Sequence, residues 1–468
     1  MSRLWTVARQ TFIEASRARL TVLLAAALLA VLVLVPVVAR GEVLSDQIQA
    51  MLVYSIGASG LLISIWTILL GSQMVCGEIA DRRIFTPLTK PVRRSVYVLG
   101  RWLGVVALQA ILIAAVGAAV FATTYIMRAR WPDEVARIML DREVLCARVS
   151  HRPAQHGQTL EGLMAQRADK LKADGRYEEI LAKRGPDALI QSLSDWAADQ
   201  LKKRRTAPLF GTLRWRFTGL RRPAGRGQTV EFRFRADASR EPPAGAPLAG
   251  LWKFTNPATQ TYYVRPNPLF TAETFPIDLR TSFTLPAEVI SEGGELQVAY
   301  TNVKPSDPRG TFPTTVTIGP DEMELLYPVG GFAGNFVRAM LLVWLLQMFL
   351  AAMTLAVATW LSFPVACLAG FVLLLTGHMA SFILEATNLT PKATFWRQLS
   401  HYASRGWMLI LPDFSIARPT QSLIDGLWIS WSQVFTAASL LGVVWTGLCL
   451  TIAAVVLTRR ELARLVAE

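Results

Sequence analysis

Six stretches of roughly twenty apolar residues punctuate this chain of 468 residues. Each is long enough to cross a hydrocarbon core of about 30 Å as a helix. They run at Leu20–Val38, Leu52–Val75, Trp102–Ile126, Phe336–Leu361, Pro364–Leu384 and Val434–Leu457. Lipid offers no partner to backbone N–H and C=O groups, so a segment that spans it must satisfy them internally. The stretches therefore predict six transmembrane helices, spans 1 to 6. A hydrophobic content of 52% agrees with a polytopic membrane protein. Glu78 and Asp81 set the end of span 2, because a carboxylate deep in a bilayer costs about 2.5–3.5 kcal/mol. The residues after span 1, Val38-Ala39-Arg40-Gly41, make a poor cleavage site, so an uncleaved anchor is expected.

Charge sets the expected orientation. Of the net +14, the segment from Arg128 to Asn335 contributes +5, from 29 Lys/Arg against 24 Asp/Glu, and +9 remains around the spans. That distribution marks membrane topology and not a nucleic-acid surface. Arg3, Arg9, Arg17 and Arg19 precede span 1. Arg82, Arg83, Lys90, Arg93, Arg94 and Arg101 follow span 2, and Arg459, Arg460 and Arg464 follow span 6. Six spans put all three segments on one side, predicted to be cytoplasmic. Lys392, Arg397, Arg405 and Arg418 between spans 5 and 6 oppose this with a smaller sum. The expected location is the plasma (inner) membrane, multi-pass, with both termini cytoplasmic.

The chain divides on this reading into four parts. Residues 1–127 hold an amphipathic N-terminal helix and spans 1–3. Leu4, Ala8 and Phe12 repeat at helical spacing there, and Trp5 suits the headgroup boundary. Residues 128–206 form an extracytoplasmic helical region. Its clearest helix opens at Gly185-Pro186 and carries the stripe Leu189, Leu193, Trp196, Ala197 and Leu201. Residues 207–332 alternate with period two, as in Leu213, Trp215, Phe217 and in Val230, Phe232, Phe234, with Pro/Gly turns between. That predicts an antiparallel β-sandwich. Trp252, Tyr262 and Tyr263 are either its core or a surface for ligand. Residues 333–468 hold spans 4–6, an outer re-entrant connection and a cytoplasmic tail. The fold class expected is a mainly α-helical six-span domain with a large extracytoplasmic α+β insertion between spans 3 and 4.

Familiar catalytic patterns are missing. No G-x-x-x-x-G-K-[ST] phosphate loop, H-E-x-x-H or G-x-S-x-G occurs. The four cysteines, Cys76, Cys146, Cys367 and Cys449, have no metal-type spacing. No cofactor, metal site or enzymatic activity is expected on this chain. Polar groups inside the apolar stretches are few: Gln109, Gln347, His378 and Glu385. His378 in mid-span 5 and Gln347 in span 4 are candidates for a substrate path.

The connection between spans 2 and 3 carries the strongest pattern. An acidic pair, Glu78 and Asp81, ends span 2. A short apolar and basic run follows, with Arg82, Arg83, Ile84, Phe85 and Leu88. Then come Lys90-Pro91-Val92-Arg93-Arg94, the aromatic Tyr97, and Gly100-Arg101 at the opening of span 3. This order resembles that of ATP-binding-cassette transporter permeases of the type 2 exporter class. It departs from the class at Arg82-Arg83, where Gly-Thr is frequent. The six spans, the amphipathic N-terminus, the tail Arg459-Arg460-Glu461-Leu462, and Leu411-Pro412-Asp413-Phe414 before span 6 are similar to the class as well. The resemblance covers about half the chain and leaves residues 128–335 unexplained.

The resemblance implies partners: two cytoplasmic ATPase subunits, which would bind ATP and Mg, and a second permease, the same or related. It implies that Glu78–Arg101 is a coupling helix seated in an ATPase groove. Arg82, Arg83, Arg93 and Arg94 would pair with acidic groups there, and Ile84, Phe85 and Leu88 would give apolar contact, framed by Asp81, Pro91 and Arg101. A second reading keeps the ATPase but makes the chain a mechanical relay to an envelope protein or ligand at the outer domain. A third is a non-ABC membrane receptor or anchor.

Overall fold

The computed structural model describes residues 2–39, 41, 43–80, 93–153, 160–222, 229–238, 248–265, 273–303, 314–386, 395–410, 414 and 419–459. They form two compact units, Met1–Ala147 with Gly330–Glu468, and Arg148–Val329.

Among the described residues, the first unit contains six helices long and apolar enough to cross a membrane. Span 1 is Arg19–Val38, span 2 Leu44–Ala80, span 3 Arg94–Arg130, span 4 Phe332–Ala358 and span 5 Phe363–Ala386. Span 6 is Trp431–Arg459. Several helices outrun the apolar stretches that announce them. Span 2 starts eight residues before Leu52, and span 3 runs past Ile126 to Arg130. Hydropathy registers only the lipid-facing part, whereas backbone hydrogen bonding carries the helix on into polar sequence. Span 6 contains a π-helical segment, Ala438–Trp445, where the Thr446 hydroxyl donates to the Leu441 carbonyl at 2.7 Å.

Helix α1 (Ser2–Arg17) is separate from span 1, because Ala18 breaks the run with an extended backbone (φ −63°, ψ 137°). It buries Ala8, Thr11 and Ala15 and leaves Trp5 71% exposed. The buried face lies on span 3 at Gly100 and Gly104. A Cβ on Gly100 would stand 2.7 Å from Val7 Cγ1, and one on Gly104 would stand 2.6 Å from both Thr11 Cβ and the Ala8 carbonyl oxygen. Two glycines four residues apart thus form the trough that admits α1, the small-xxx-small device of membrane helix pairs.

Polar groups knit spans 2, 3 and 4 at mid-bundle. Gln109 Nε2 donates to Thr67 Oγ1 at 2.8 Å and to the Gln347 carbonyl at 3.3 Å. Gln347 Nε2 donates to Ser64 Oγ at 2.8 Å and to the Gly60 carbonyl at 3.3 Å. Bonds of this kind contribute about 0.6–2 kcal/mol each between membrane helices. They also fix rotation about each helix axis, which apolar packing alone leaves loosely specified.

Among the described residues, the second unit is built from the α-helices α2 (Leu160–Ala173) and α3 (Arg176–Arg205) and strands β1 to β12. Gly185 interrupts α3 with φ 80°, so its second half begins at Pro186. There Leu189 and Leu193 pack with Leu171 in a small core of their own. A four-stranded sheet has the order β1 (Cys146–His151), β12 (Met323–Gly331), β4 (Thr229–Arg235), β9 (Arg280–Pro286). A five-stranded sheet has the order β3 (Thr212–Phe217), β10 (Leu296–Asn302), β6 (Leu248–Thr255), β7 (Tyr262–Arg265), with β8 (Glu273–Phe275) also on β6. Short strands β2 (Thr206–Ala207), β11 (Val316–Thr317) and β5 (Asp237–Ala238) form a third. Strand β1 lies in the stretch that reads as helical from sequence. Its partner β12 is some 170 residues away, so local pattern carries no trace of the pairing that makes it a strand.

The inner faces of the two larger sheets share one aromatic core. Phe232 and Phe234 of β4 meet Trp252 of β6 with ring centroids 5.1 and 4.5 Å apart. Trp252 is therefore core, while Tyr262 is 64% exposed with Lys253 Nζ 4.6 Å from its ring centroid. Tyr300 is fully buried and donates to the Ala249 carbonyl at 3.1 Å. Burial pushes its phenol well above the ordinary range, so it remains a donor.

Two predictions follow from this packing. Gly104→Leu forces α1 off span 3, and overpacking of this kind costs about 1–3 kcal/mol; a cysteine introduced at Ala8 then becomes accessible to a thiol reagent, which it is not in the parent. The second concerns His151 on β1, whose Nε2 lies 3.0 Å from the Tyr327 hydroxyl of β12. Desolvation holds His151 below its ordinary value of 6.5. The folded unit therefore disfavours the imidazolium: stability is full above pH 6.5 and falls as pH drops from there through the lowered value. Hydrogen exchange at 148–151 and 323–327, corrected for intrinsic rates, speeds up below pH 6.5 in the parent and loses that dependence in His151→Gln.

Candidate functional site at the joined ends of spans 2 and 3

Span 2 reaches Ala80 and span 3 opens at Arg94, and the two helices are bonded to each other beside residues 81–92. The Tyr97 hydroxyl of span 3 donates to Glu78 Oε2 of span 2. Arg101, one turn beyond Tyr97, is only 7% exposed. Its Nη2 pairs with Glu78 Oε1, and its Nη1 donates to Glu14 Oε2 of α1 at 2.5 Å. The same guanidinium donates to Tyr97 Oη at 3.4 Å and approaches Thr11 Oγ1 at 3.5 Å. One planar fork with five donors thus reaches three helices at once, which a lysine ammonium on its single stem cannot reproduce.

Glu78 is 18% exposed and Glu14 43% exposed. Glu14 also accepts from Gln10 Nε2 at 2.9 Å. With two carboxylates on one guanidinium, the cluster carries a formal charge of −1. Removing the cation strands Glu78 in a low-dielectric setting, and loss of one member of a buried pair costs about 3–5 kcal/mol. The Glu14 contact is solvent-screened and contributes less.

Other contacts gather further helix ends here. Arg94 Nη1 donates to the Leu457 carbonyl near the end of span 6. Cys76 Sγ donates to the carbonyls of Ala358 at 3.5 Å and Leu361 at 3.4 Å, where span 4 finishes. Val75, Tyr97, Val98, Leu355, Thr359 and Leu457 surround a cavity of only about 10 Å3 beside Arg101. Spans 2, 3, 4 and 6 and helix α1 therefore meet in one packed junction.

The structure draws Glu78, Arg94 and Arg101 into this junction, facing inward, and leaves Arg93 exposed at the N-cap of span 3. Asp81, Arg82, Arg83, Ile84, Phe85, Leu88 and Pro91 lie outside the described residues. Gln347 sits elsewhere, 1% exposed in the mid-bundle ladder. His378 is on an exposed face of span 5, with Nδ1 3.0 Å from the Leu374 carbonyl and its ring edge-on to Phe414 at 5.8 Å. Phe414 is the described residue of the segment Leu411-Pro412-Asp413-Phe414; it is fully buried against Phe349 of span 4 and over Gly377. Among the described residues no group of three or more His, Cys, Asp or Glu is arranged to hold a metal ion.

Sequence reasoning misses Glu14, the third helix's contribution to the Arg101 cluster. The available signal is that Glu14 is the single acid in a segment otherwise carrying Arg3, Arg9, Arg17 and Arg19. It also misses Asn335 and Arg338 at the start of span 4. Asn335 Nδ2 donates to the Leu427 carbonyl at 2.8 Å, its Oδ1 accepts from the Ile429 N–H at 2.8 Å, and Arg338 Nη1 donates to the Ile429 carbonyl at 2.7 Å. These two side chains bind the segment that leads into span 6, and an arginine within an apolar helix is the cue.

Comparison with family models, curated proteins and solved structures returns no match for this chain. The geometry makes its own prediction. Arg101→Ala lowers the thermal unfolding temperature of the detergent-purified protein more than Glu14→Gln does. Arg101→Ala combined with Glu78→Gln recovers part of the loss, because the double variant no longer strands a charge. Equal effects of the three substitutions would remove Arg101 from its place as the hub.

Proposed function

We propose that this chain is the permease subunit of an ATP-binding-cassette exporter of the type 2 exporter class. It couples ATP hydrolysis on separate cytoplasmic ATPase subunits to movement of a substrate across or out of the membrane. The observation that carries this reading is the Arg101 junction. The segment 81–92 is flanked on both sides by the same ion-paired cluster, Glu78 before it and Tyr97 and Arg101 after it. A force applied to 81–92 is then delivered to spans 2 and 3 together, and through Glu14 to α1. That is the mechanical requirement for a coupling helix. On this reading the segment faces the cytoplasm, Arg93 offers a cation to an acidic groove on the ATPase, and ATP and Mg are bound by the partner. A second permease, identical or related, completes the transporter.

One observation favours the relay reading beside it. Strand β12 ends at Gly331 and span 4 begins at the next residue, Phe332. On the relay reading, motion of span 4 would pass along the chain to β12, which shares a sheet with β1, β4 and β9. In that case the inserted unit lies outside the cytoplasm and grips an envelope partner.

Affinity purification of the full chain in mild detergent or lipid discs tests the proposal. An ATPase subunit co-purifies with the parent and is lost with Arg93→Glu, which reverses an exposed charge outside the packed junction. Arg101→Ala keeps the ATPase bound but breaks coupling, so hydrolysis no longer responds to added lipid, drug or envelope protein. Absence of any associated ATPase rules the proposal out. Stimulation by an envelope protein alone selects relay over export.

A further inference from the structure

The first turns of span 4 hold a cation without a counter-ion. Arg338 is 8% exposed, and its guanidinium donates from Nε to the Gly334 carbonyl at 3.0 Å and from Nη1 to the Ile429 carbonyl at 2.7 Å. It lies over two indole rings, 5.6 Å from the centroid of Trp428 and 5.8 Å from that of Trp431. Among the described residues no carboxylate pairs with it. Those two carbonyls leave the N–H groups of Nη2 without an acceptor among the described residues. Nη2 stands 3.7 Å from where a Cβ on Gly334 would sit, and nothing else is packed within 4 Å of that point. A Cβ on Gly331 would meet nothing within 4 Å. The guanidinium therefore borders an opening at the start of span 4, where Gly331, Ala333 and Gly334 are exposed. Gly331 is the N-cap and brings no side chain to the first N–H groups of the helix. A cation here adds to the positive end of the helix dipole, the reverse of the favourable arrangement.

We propose that this opening binds the phosphate of a membrane phospholipid headgroup. An anionic oxygen set against Nη2 and the uncapped N–H groups supplies the missing negative charge. Phosphate suits both donors, since a guanidinium pairs with it through charge-assisted N–H bonds and helix N-termini hold it. The level of the cluster names lipid as the source. Leu355 and Thr359 of span 4 line the small cavity beside Arg101. Arg338 precedes them by 17 and 21 residues, which is about 26–32 Å along the helix. The hydrocarbon core of a bilayer is about 30 Å thick. With the Arg101 junction at one face of the bilayer, Arg338 stands at the other, where headgroup phosphates lie. The rings around it agree: Trp428, Trp431 and Phe435 are exposed, and exposed indoles favour that boundary. Val337, next to Arg338, is 56% exposed and offers an apolar surface to the acyl chains below the phosphate. The inference rests on the helices being lipid-embedded and is independent of the ATPase proposal.

Native mass spectrometry of the full-length protein, released from neutral detergent that contains dioleoylphosphatidylglycerol, tests it. The parent retains one phosphatidylglycerol at an activation that strips annular lipid. It does not retain dioleoylglycerol, which has the same acyl chains and no phosphate. Gly334→Asp sets a carboxylate beside Nη2, where an added Cβ meets no clash, and retention falls at least tenfold. It touches none of the bonds to Ile429, so the segment before span 6 stays in place. Gly334→Ala adds the Cβ alone and keeps the lipid. Arg338→Gln loses the lipid to the same extent as Gly334→Asp. Equal retention of phosphatidylglycerol and dioleoylglycerol means that acyl chains alone bind, and it overturns the proposal. So does loss in Arg338→Gln with full retention in Gly334→Asp, which marks the arginine as a clamp on Ile429 and nothing more. Retention of inorganic phosphate with no phosphatidylglycerol assigns the opening to a free anion and overturns the lipid source.

Discussion

The arrangement of the membrane unit depends on one guanidinium. Arg101 joins Glu78 of span 2 and Glu14 of α1 while standing on span 3, in a position only 7% exposed. A charge so placed must be paired or pay several kcal/mol of desolvation. Its partners are therefore obligatory, and they dictate which helix ends meet. The glycine trough at Gly100 and Gly104 serves the same end, since α1 must lie close to span 3 for Glu14 to reach Arg101. Steric permission comes from the glycines and direction from the charges.

The two units solve different problems because their solvents differ. Among the spans, lipid and side chains are equally apolar, so cohesion comes from close packing and from polar ties such as Gln109–Thr67 and Gln347–Ser64. In the unit Arg148–Val329, two sheets share a core of Phe232, Phe234, Trp252, Phe254 and Tyr300, removed from water. Aromatic side chains there bury large area with few rotatable bonds.

Much of the fold was legible residue by residue. The spans were visible as apolar runs, and the strands β3, β4, β9 and β10 as alternation. The break at Gly185-Pro186 was visible as turn chemistry. The site was only half legible. Glu78 and Arg101 stood out as the ends of the loop and Arg94 as a contact for a partner, and the structure bonds all three within the junction. Glu14 and Thr11 went unseen because their relation to Arg101 crosses 87 and 90 residues. Strand β1 was hidden for the same reason, its partner β12 being far along the chain. Arg338 was overlooked because a long apolar average conceals one charge.

The sequence by itself determined that the chain has six helices suited to a membrane, with a sheet-rich insertion between the third and fourth. Solvation is a sum over single residues, so a window along the chain reports it. Tertiary structure alone decided which polar groups pair. Arg101 could have faced solvent, lipid or a partner by any local criterion, and Gln347 could have lined a pathway. Their partners lie on other helices, and an interaction between two residues exists only once the fold has brought both to one place.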